Sequence, residues 1–250
     1  MGNLIYAIIF NNYPDKLNSL LSGMKGMSGE SLDVVTLDEI SAVVSHIERA
    51  ELIADQTSAM AFAGIIEKLE QHFTLLPMRY GSMLESVDLI LKMLEKNYPD
   101  FQQNLQKVEN QSEFGLKVFC DPEKLKEEMR LKSETADNPS AKSEEGIKKS
   151  VYLDYMNKKL KEHRLEEKLL NYIDLVIAEF TGKLTQLHAV SKIKKRSTAT
   201  ILIDAVFLLK KDRKDELVQV VKDSQNQHPE LNFTLTGPWP PYNFVDINLK

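Results

Sequence analysis

Two positions in the sequence could run a reaction: Asp204, alone inside the apolar run Ile201–Leu209, and Arg79, set between Met78 and Tyr80 at the end of an apolar stretch. An acid inside a strand can present a catalytic carboxylate. The same placement suits an aspartate on the solvent face of an edge strand, or one paired with Lys192 or Lys194 on the neighbouring strand. The structural readings carry more weight. Arg79 is either a fork donor, tying its loop to carbonyls or a carboxylate, or an anchor at an interaction surface. Lys192-Ile193-Lys194-Lys195-Arg196 could meet phosphate or an acidic partner, but no aromatic residue interleaves with it for base stacking. It reads as a solvated hairpin end.

Other chemistries lack their parts. None of the ten glycines forms a phosphate-cradling loop or a dinucleotide fingerprint. His46, His72, His163, His188 and His228 fall on separate elements, with no pair at metal-ligand spacing. Cys120, the only cysteine, ends an apparent strand and reads as a buried structural thiol. No catalytic residue, cofactor or metal is expected.

The composition, 42% hydrophobic and 28% charged over 250 residues, is that of a globular protein of one large or two ordinary domains. The net charge of −5 gives no general attraction to nucleic acid or anionic membrane. It is uneven, with 8 Lys and Arg against 15 Asp and Glu in residues 1–112. One cysteine, no signal peptide and no run of about 20 apolar residues lead us to expect an intracellular, soluble protein.

These residues must be positioned by a mixed α+β frame. Leu4–Phe10 is apolar on both alternating faces, as a central strand is. A short helix over Asp15–Met24 follows, then a hairpin of Asp33–Leu37 and Ile40–His46 about Asp38-Glu39. The spacing predicts a helix over Thr57–His72, capped by Thr57 or Ser58, and a strand over Thr74–Met78. A second helix opens at Ser82, breaks near Pro99 and bridges to a second domain.

That domain repeats the grammar: a strand Phe114–Phe119, a helix start at Asp121-Pro122-Glu123, a polar mobile loop over 132–146 and a long helix over 148–186. Val151, Leu153, Met156, Leu160, Leu169, Ile173, Val176, Phe180 and Leu184 carry its apolar stripe. The helix is too long for one domain, so part projects unless Thr181-Gly182 breaks it. The helix Glu123–Leu131 would cover the stripe as a hairpin. Strands over His188–Arg196 and Thr198–Leu209, a helix Asp212–Gln225 and a strand Leu231–Thr236 complete the order. The expectation is two ferredoxin-like (βαββαβ) domains, residues 1–112 and 113–250.

The last strand runs into Gly237-Pro238-Trp239-Pro240-Pro241-Tyr242-Asn243-Phe244, which holds three of the nine prolines and the only tryptophan. Proline fixes its own φ, so Gly237–Pro241 reads as a stiff polyproline-like rod whose rings must be buried, in the C-terminal domain or in a partner. The tail resembles the closing motif of the gas vesicle protein GvpF/GvpL family. Pro77-Met78-Arg79-Tyr80-Gly81 resembles that family's central Pro-x-Arg-aromatic-Gly motif. Weaker likenesses are Leu4–Ile9 and the Gly146…Tyr152-Leu153 helix start. The resemblance implies a non-enzymatic accessory or minor structural protein, located at the gas vesicle, that contacts the main shell protein GvpA and takes part in assembly. It marks Pro77, Arg79, Tyr80, Gly81, Gly237, Pro238, Trp239, Pro240, Pro241, Tyr242 and Phe244 as motif or partner-binding positions. The runner-up is a ligand-binding or enzymatic α+β protein using Asp204 or Arg79.

Overall fold

A computed structural model describes residues 2–121, 123–127, 130–131, 151–195 and 200–247. The loop expected over 132–146, Pro122, Gly146 and Arg196 lie outside the described residues. The chain divides into two compact units. The first gathers Met1–Phe114, Phe207–Asp212 and Thr236–Lys250; the second gathers Gly115–Val206 and Arg213–Leu235. Where the sequence suggests a single cut near residue 112, the C-terminal aromatic tail instead belongs with the N-terminal unit.

Unit 1 is organised around β1 (Gly2–Phe10), in which every residue from Gly2 to Ile9 is buried. Both its edges are paired. β3 (Ile40–Ile47) lies antiparallel on one side; β4 (Leu75–Pro77) and the two-residue β5 (Met83–Leu84) lie antiparallel on the other. β2 (Leu32–Leu37) completes the order β2-β3-β1-β4. The register jumps between Ile5↔Val44 and Ala7↔Val43, a bulge at Tyr6. One extra residue inverts the alternation. That is why Leu4 and Tyr6 before it, and Ala7 and Ile9 after it, all enter one core cluster. Helices α1 (Pro14–Ser22) and α2 (Gln56–Glu70) supply Leu17, Leu21, Phe62, Ile65, Ile66 and Leu69 to that cluster.

Two local expectations are corrected, and a third, the break near Pro99, is met. The cap of α2 is Asp55, whose Oδ1 accepts from Ser58 N–H at 2.7 Å, rather than Thr57 or Ser58. That bond also lowers the Asp55 carboxyl below its ordinary range. Ser82 does not open a helix. Met83 and Leu84 pair instead with Leu4 and Asn3, and α3 (Val87–Lys96) starts after Ser86, whose Oγ accepts from Leu89 N–H. The chain breaks at Asn97 and resumes as α4 (Tyr98–Lys107), with Pro99 in the first turn where its missing N–H costs nothing. Ile90, Leu94, Phe101 and Leu105 are buried, with α3 against β2 and β3 and α4 against β4 and β1.

β6 (Gln111–Phe119), whose residues from Gly115 on belong to unit 2, leads by way of Asp121, whose Oδ1 accepts from the N–H of Glu123 and Lys124, into a helical stretch at 123–127. The long helix α5 (Val151–Gln186) is unbroken through Thr181-Gly182. At 36 residues it runs about 54 Å. Leu169, Ile173, Val176, Phe180 and Leu184, spaced at three and four, are buried as expected. Leu160, assigned to the same stripe from sequence, is 53% exposed, and Lys159, His163 and Arg164 beside it are exposed too. Among the described residues the buried part of the stripe runs from Leu169 to Leu184; the side chains of Val151, Leu153 and Met156 lie outside the described residues.

β7 (Val190–Lys195), β8 (Ile201–Lys210), α6 (Lys214–Gln227) and β9 (Asn232–Trp239) follow, giving the order β7-β8-β6-β9. Numbered within each sheet, both orders read 2-3-1-4. The molecule is a mixed helix-and-sheet fold with two antiparallel sheets.

Candidate functional site

The tail is seated on unit 1 by a short list of specific contacts. β9 runs on to Trp239, so Gly237, Pro238 and Trp239 end a strand and do not form the expected rod. The Gly237–Pro238 peptide is cis, and Gly237 has φ +109°, a region closed to most side chains. A Cβ on Gly237 would stand 2.8 Å from the Glu113 carbonyl oxygen. Pro240 and Pro241 are buried. The chain then turns, with Tyr242 N–H donating to Pro240 O at 2.8 Å and Phe244 N–H to Pro241 O at 3.2 Å.

Glu113 holds that turn. Its buried carboxylate accepts from Asn243 twice, from the backbone N–H at 2.7 Å and from Nδ2 at 2.5 Å. Lys107 Nζ donates to the Phe244 carbonyl at 2.8 Å, and Asn104 exchanges hydrogen bonds with the backbone of Asp246. Phe244 is buried to 2% exposure. Trp239 and Tyr242 remain 40% and 42% exposed. The tail is therefore locked by Phe244 and Asn243, while Trp239 and Tyr242 stay partly exposed.

The Tyr242 hydroxyl is pushed up to about 12, first by desolvation and then by the charges of Glu67 and Glu113. A phenol that resists ionisation when folded favours the folded state below the unfolded value near 10. That contribution is lost as the pH rises from about 10 to about 12. In NMR of ring-labelled tyrosine, Tyr242 should titrate well above the ordinary tyrosine value near 10. Titration of Tyr242 near 10 would mean that the tail is not seated on Glu113.

The second motif belongs to the same unit. Pro77 pairs with Ala7, and Met78 N–H donates to Tyr6 O at 2.9 Å. Ser82 N–H closes the turn on Arg79 O at 3.0 Å, and Gly81 takes φ +90°. The Tyr80 ring meets Phe62 edge-on at 5.4 Å, and its hydroxyl donates to Ile53 O at 2.7 Å. Phe62 stacks in turn on Tyr6. Arg79 is exposed, and its guanidinium makes no hydrogen bond or ion pair among the described residues. The fork-donor reading is thereby corrected, since the turn is held by its backbone and by Tyr80. Tyr80 meets α2 at Phe62, and the charge of Glu67 on the same helix bears on the Tyr242 hydroxyl.

Asp204 is half-buried on β8 and forms no ion pair among the described residues, so the pairing with Lys192 or Lys194 is not made. Lys192 and Lys194 are exposed on the sheet-edge strand β7. Cys120 is buried, as expected of a structural thiol.

One polar cluster escaped the sequence. In unit 2 His228 sits between Glu179, 3.0 Å from Nε2, and Tyr172, whose hydroxyl lies 2.8 Å from Nδ1 and also donates to Glu230. Tyr172 and Glu179, seven apart on α5, share a helix face, and His228 and Glu230 share the loop before β9. The two carboxylates approach opposite ring nitrogens and cannot converge on one ion. Among the described residues no group of three His, Cys, Asp or Glu could hold a metal. No helix of the described residues is long and apolar enough to cross a membrane.

Comparison with known proteins places these features. The model of the "Gas vesicle synthesis protein GvpL/GvpF" family matches residues 2–246. The chain is similar to gas vesicle protein F of a Streptomyces species, 22% identical over 246 residues that cover 98% of this chain and 100% of the relative. It is also similar to gas vesicle protein F1 of Halobacterium salinarum, 21% identical over 90% of this chain and 87% of that one. Among solved structures, the gas vesicle protein GvpF of Anabaena superposes with a TM-score of 0.77 at 18% identity, over 99% of this chain and 97% of that chain. GvpF of Microcystis aeruginosa gives 0.74 at 18% identity, over 98% and 99%. At that identity the superpositions show a shared fold.

Proposed function

The chain belongs to the gas vesicle synthesis protein GvpL/GvpF family, and on that premise we propose that it is a non-enzymatic accessory or minor structural protein that binds the main shell protein GvpA during gas vesicle assembly. The family match over nearly the whole chain is the observation that carries this reading. A shell subunit with a strongly apolar face gains about 25 cal/mol for each Å² it hides, so until it is placed it must be held or it aggregates. The pinned tail supports the role of holder by keeping Trp239 and Tyr242 at the surface on a fixed backbone. The common strand order of the two sheets, with a helix after the first and third strand of each, supports reading both as ferredoxin-like layers.

Purified full-length protein should retain the main shell protein on an affinity column and cofractionate with isolated vesicles. Absence from washed vesicles, together with no measurable binding, would overturn the proposal. A thermal-shift screen against nucleotides, metals and small anions bears on the enzyme alternative, because a ligand that binds the folded state raises its midpoint. No ligand is expected to raise it by several degrees.

A further inference from the structure

We propose that His228, with Tyr172, Glu179 and Glu230, forms a proton-operated latch: an imidazolium fastens the loop before β9 to the long helix α5 and releases it when the ring loses its second proton. All four residues belong to unit 2, so the latch stands whether or not the protein binds a shell subunit.

The hydrogens can be counted. A phenol owns one and an ionised carboxylate owns none. The Tyr172 oxygen lies against both His228 Nδ1, at 2.8 Å, and Glu230 Oε1, and its hydrogen goes to Glu230. The contact with Nδ1 is then a hydrogen bond only if Nδ1 carries a hydrogen and donates it to the Tyr172 oxygen. On the far side of the ring, Nε2 stands 3.0 Å from Glu179 Oε2, which can only accept. Both ring nitrogens are therefore donors, and that is the imidazolium form.

The surroundings give that proton its leverage. The side chain of His228 is 11% exposed and that of Glu230 19%, so each is satisfied by its neighbours more than by water. α5 contributes Tyr172, Glu179 and Lys183, the loop contributes Glu230, and α6 contributes the neutral Ser224, Gln225 and Gln227. Lys183, the cation that would oppose a second one, is taken by Gln227 Oε1 at 2.7 Å. If Nδ1 gives its proton to water, the count fails. Should Tyr172 turn to serve the bare Nδ1, Glu230 loses its donor; should it stay on Glu230, two lone pairs meet at 2.8 Å. The loop is separately stitched to α6 by Gln225, whose Nε2 donates to Leu231 O at 2.6 Å and whose Oε1 accepts from Phe233 N–H at 3.0 Å. What the proton controls is the tie to α5. Its stabilising contribution is present on the acid side of the ring's titration and lost as the pH rises through it.

NMR of the full-length protein with nitrogen-labelled histidine rings reads the protons directly. At pH 7.5 an exposed imidazole is about nine-tenths neutral. His46, His72, His163 and His188 are all exposed and should mostly show one protonated ring nitrogen, whereas His228 should show two. Glu179→Gln keeps the shape and removes one charge at a side chain that is 43% exposed. It should lower the charged-to-neutral ratio of His228 about tenfold, as loss of an adjacent opposite charge does. Release is read at Phe233, whose ring packs against Phe180 of α5 with centroids 6.4 Å apart. Its amide exchange, corrected for the intrinsic rate, should speed up about tenfold as the pH passes through the His228 titration, the scale of one charge-assisted hydrogen bond. His228→Gln should abolish that step, and if this variant does not fold, the ring spectra of the parent and of Glu179→Gln still decide. A His228 with a single ring proton at pH 7.5, a ratio unmoved by Glu179→Gln, or Phe233 exchange indifferent to the titration would each overturn the latch.

Discussion

Phe244→Ala should lower the stability of unit 1 by about 3–5 kcal/mol, the range for emptying a buried phenylalanine site. Trp239→Ala, two strand-end residues from Gly237, should cost less, about 1–2 kcal/mol, because part of its surface already faces solvent. The difference follows from where the two rings lie. Phe244 is 2% exposed and its carbonyl is gripped by Lys107, so its removal leaves a cavity under a tail that Glu113 still pins. Trp239 is 40% exposed, so it has less packing to lose than Phe244. Urea unfolding followed by circular dichroism suits both variants, since one of them lacks the only tryptophan. Equal losses would mean that Trp239 is part of the core. A loss at Trp239 alone would reverse the assignment of anchor and display.

How much of this is legible in the sequence depends on the range of the forces involved. The central strand can be read because β1 is apolar on both faces, and burial of every residue from Gly2 to Ile9 explains that run. The break near Pro99 and the cap at Asp121 can be read because each is decided within four residues. The Asp55 cap is hidden because Thr57 and Ser58 are equally good caps by type, and only the helix start at Gln56 selects among them. β5 leaves no periodic trace, since two residues cannot alternate; its existence is owed to the open edge of β1 at Asn3 and Leu4. The grip of Glu113 on Asn243 joins residues 130 apart and carries no local signal. The same holds for the His228 cluster, where only the seven-residue spacing of Tyr172 and Glu179 on one helix face is there to be noticed. Both motifs can be named from sequence, then, but not that they share one unit, with Tyr80 on Phe62 and Tyr242 near Glu67 of the same helix.

Gly237→Val should be the most damaging substitution in the tail after loss of Phe244, at about 3 kcal/mol or more. Two costs add there. At φ +109° any side chain is strained, and a β-branched one most of all. Its Cβ would also meet the Glu113 carbonyl oxygen at 2.8 Å, an atom of strand backbone that no rotamer change can move aside. Relief requires β9 to draw back from β6, which would pull Asn243 off the Glu113 carboxylate and strand that buried charge without its donors. Gly182→Ala is the matched control. It lies inside α5 with nothing within 4 Å of the place a Cβ would take, so it should stabilise by up to about 1 kcal/mol, the helix propensity difference. Opposite signs at the two glycines would tie the conformation of Gly237 to the seating of the tail, and Tyr242 provides an internal check. In Gly237→Val its hydroxyl should titrate closer to the ordinary tyrosine value, because a tail that has drawn back from Glu113 leaves it better hydrated and farther from that charge. If Gly237→Val kept both its stability and a Tyr242 hydroxyl near 12, the strand end would have to be free to shift without disturbing the turn, and Glu113 would not be its clamp.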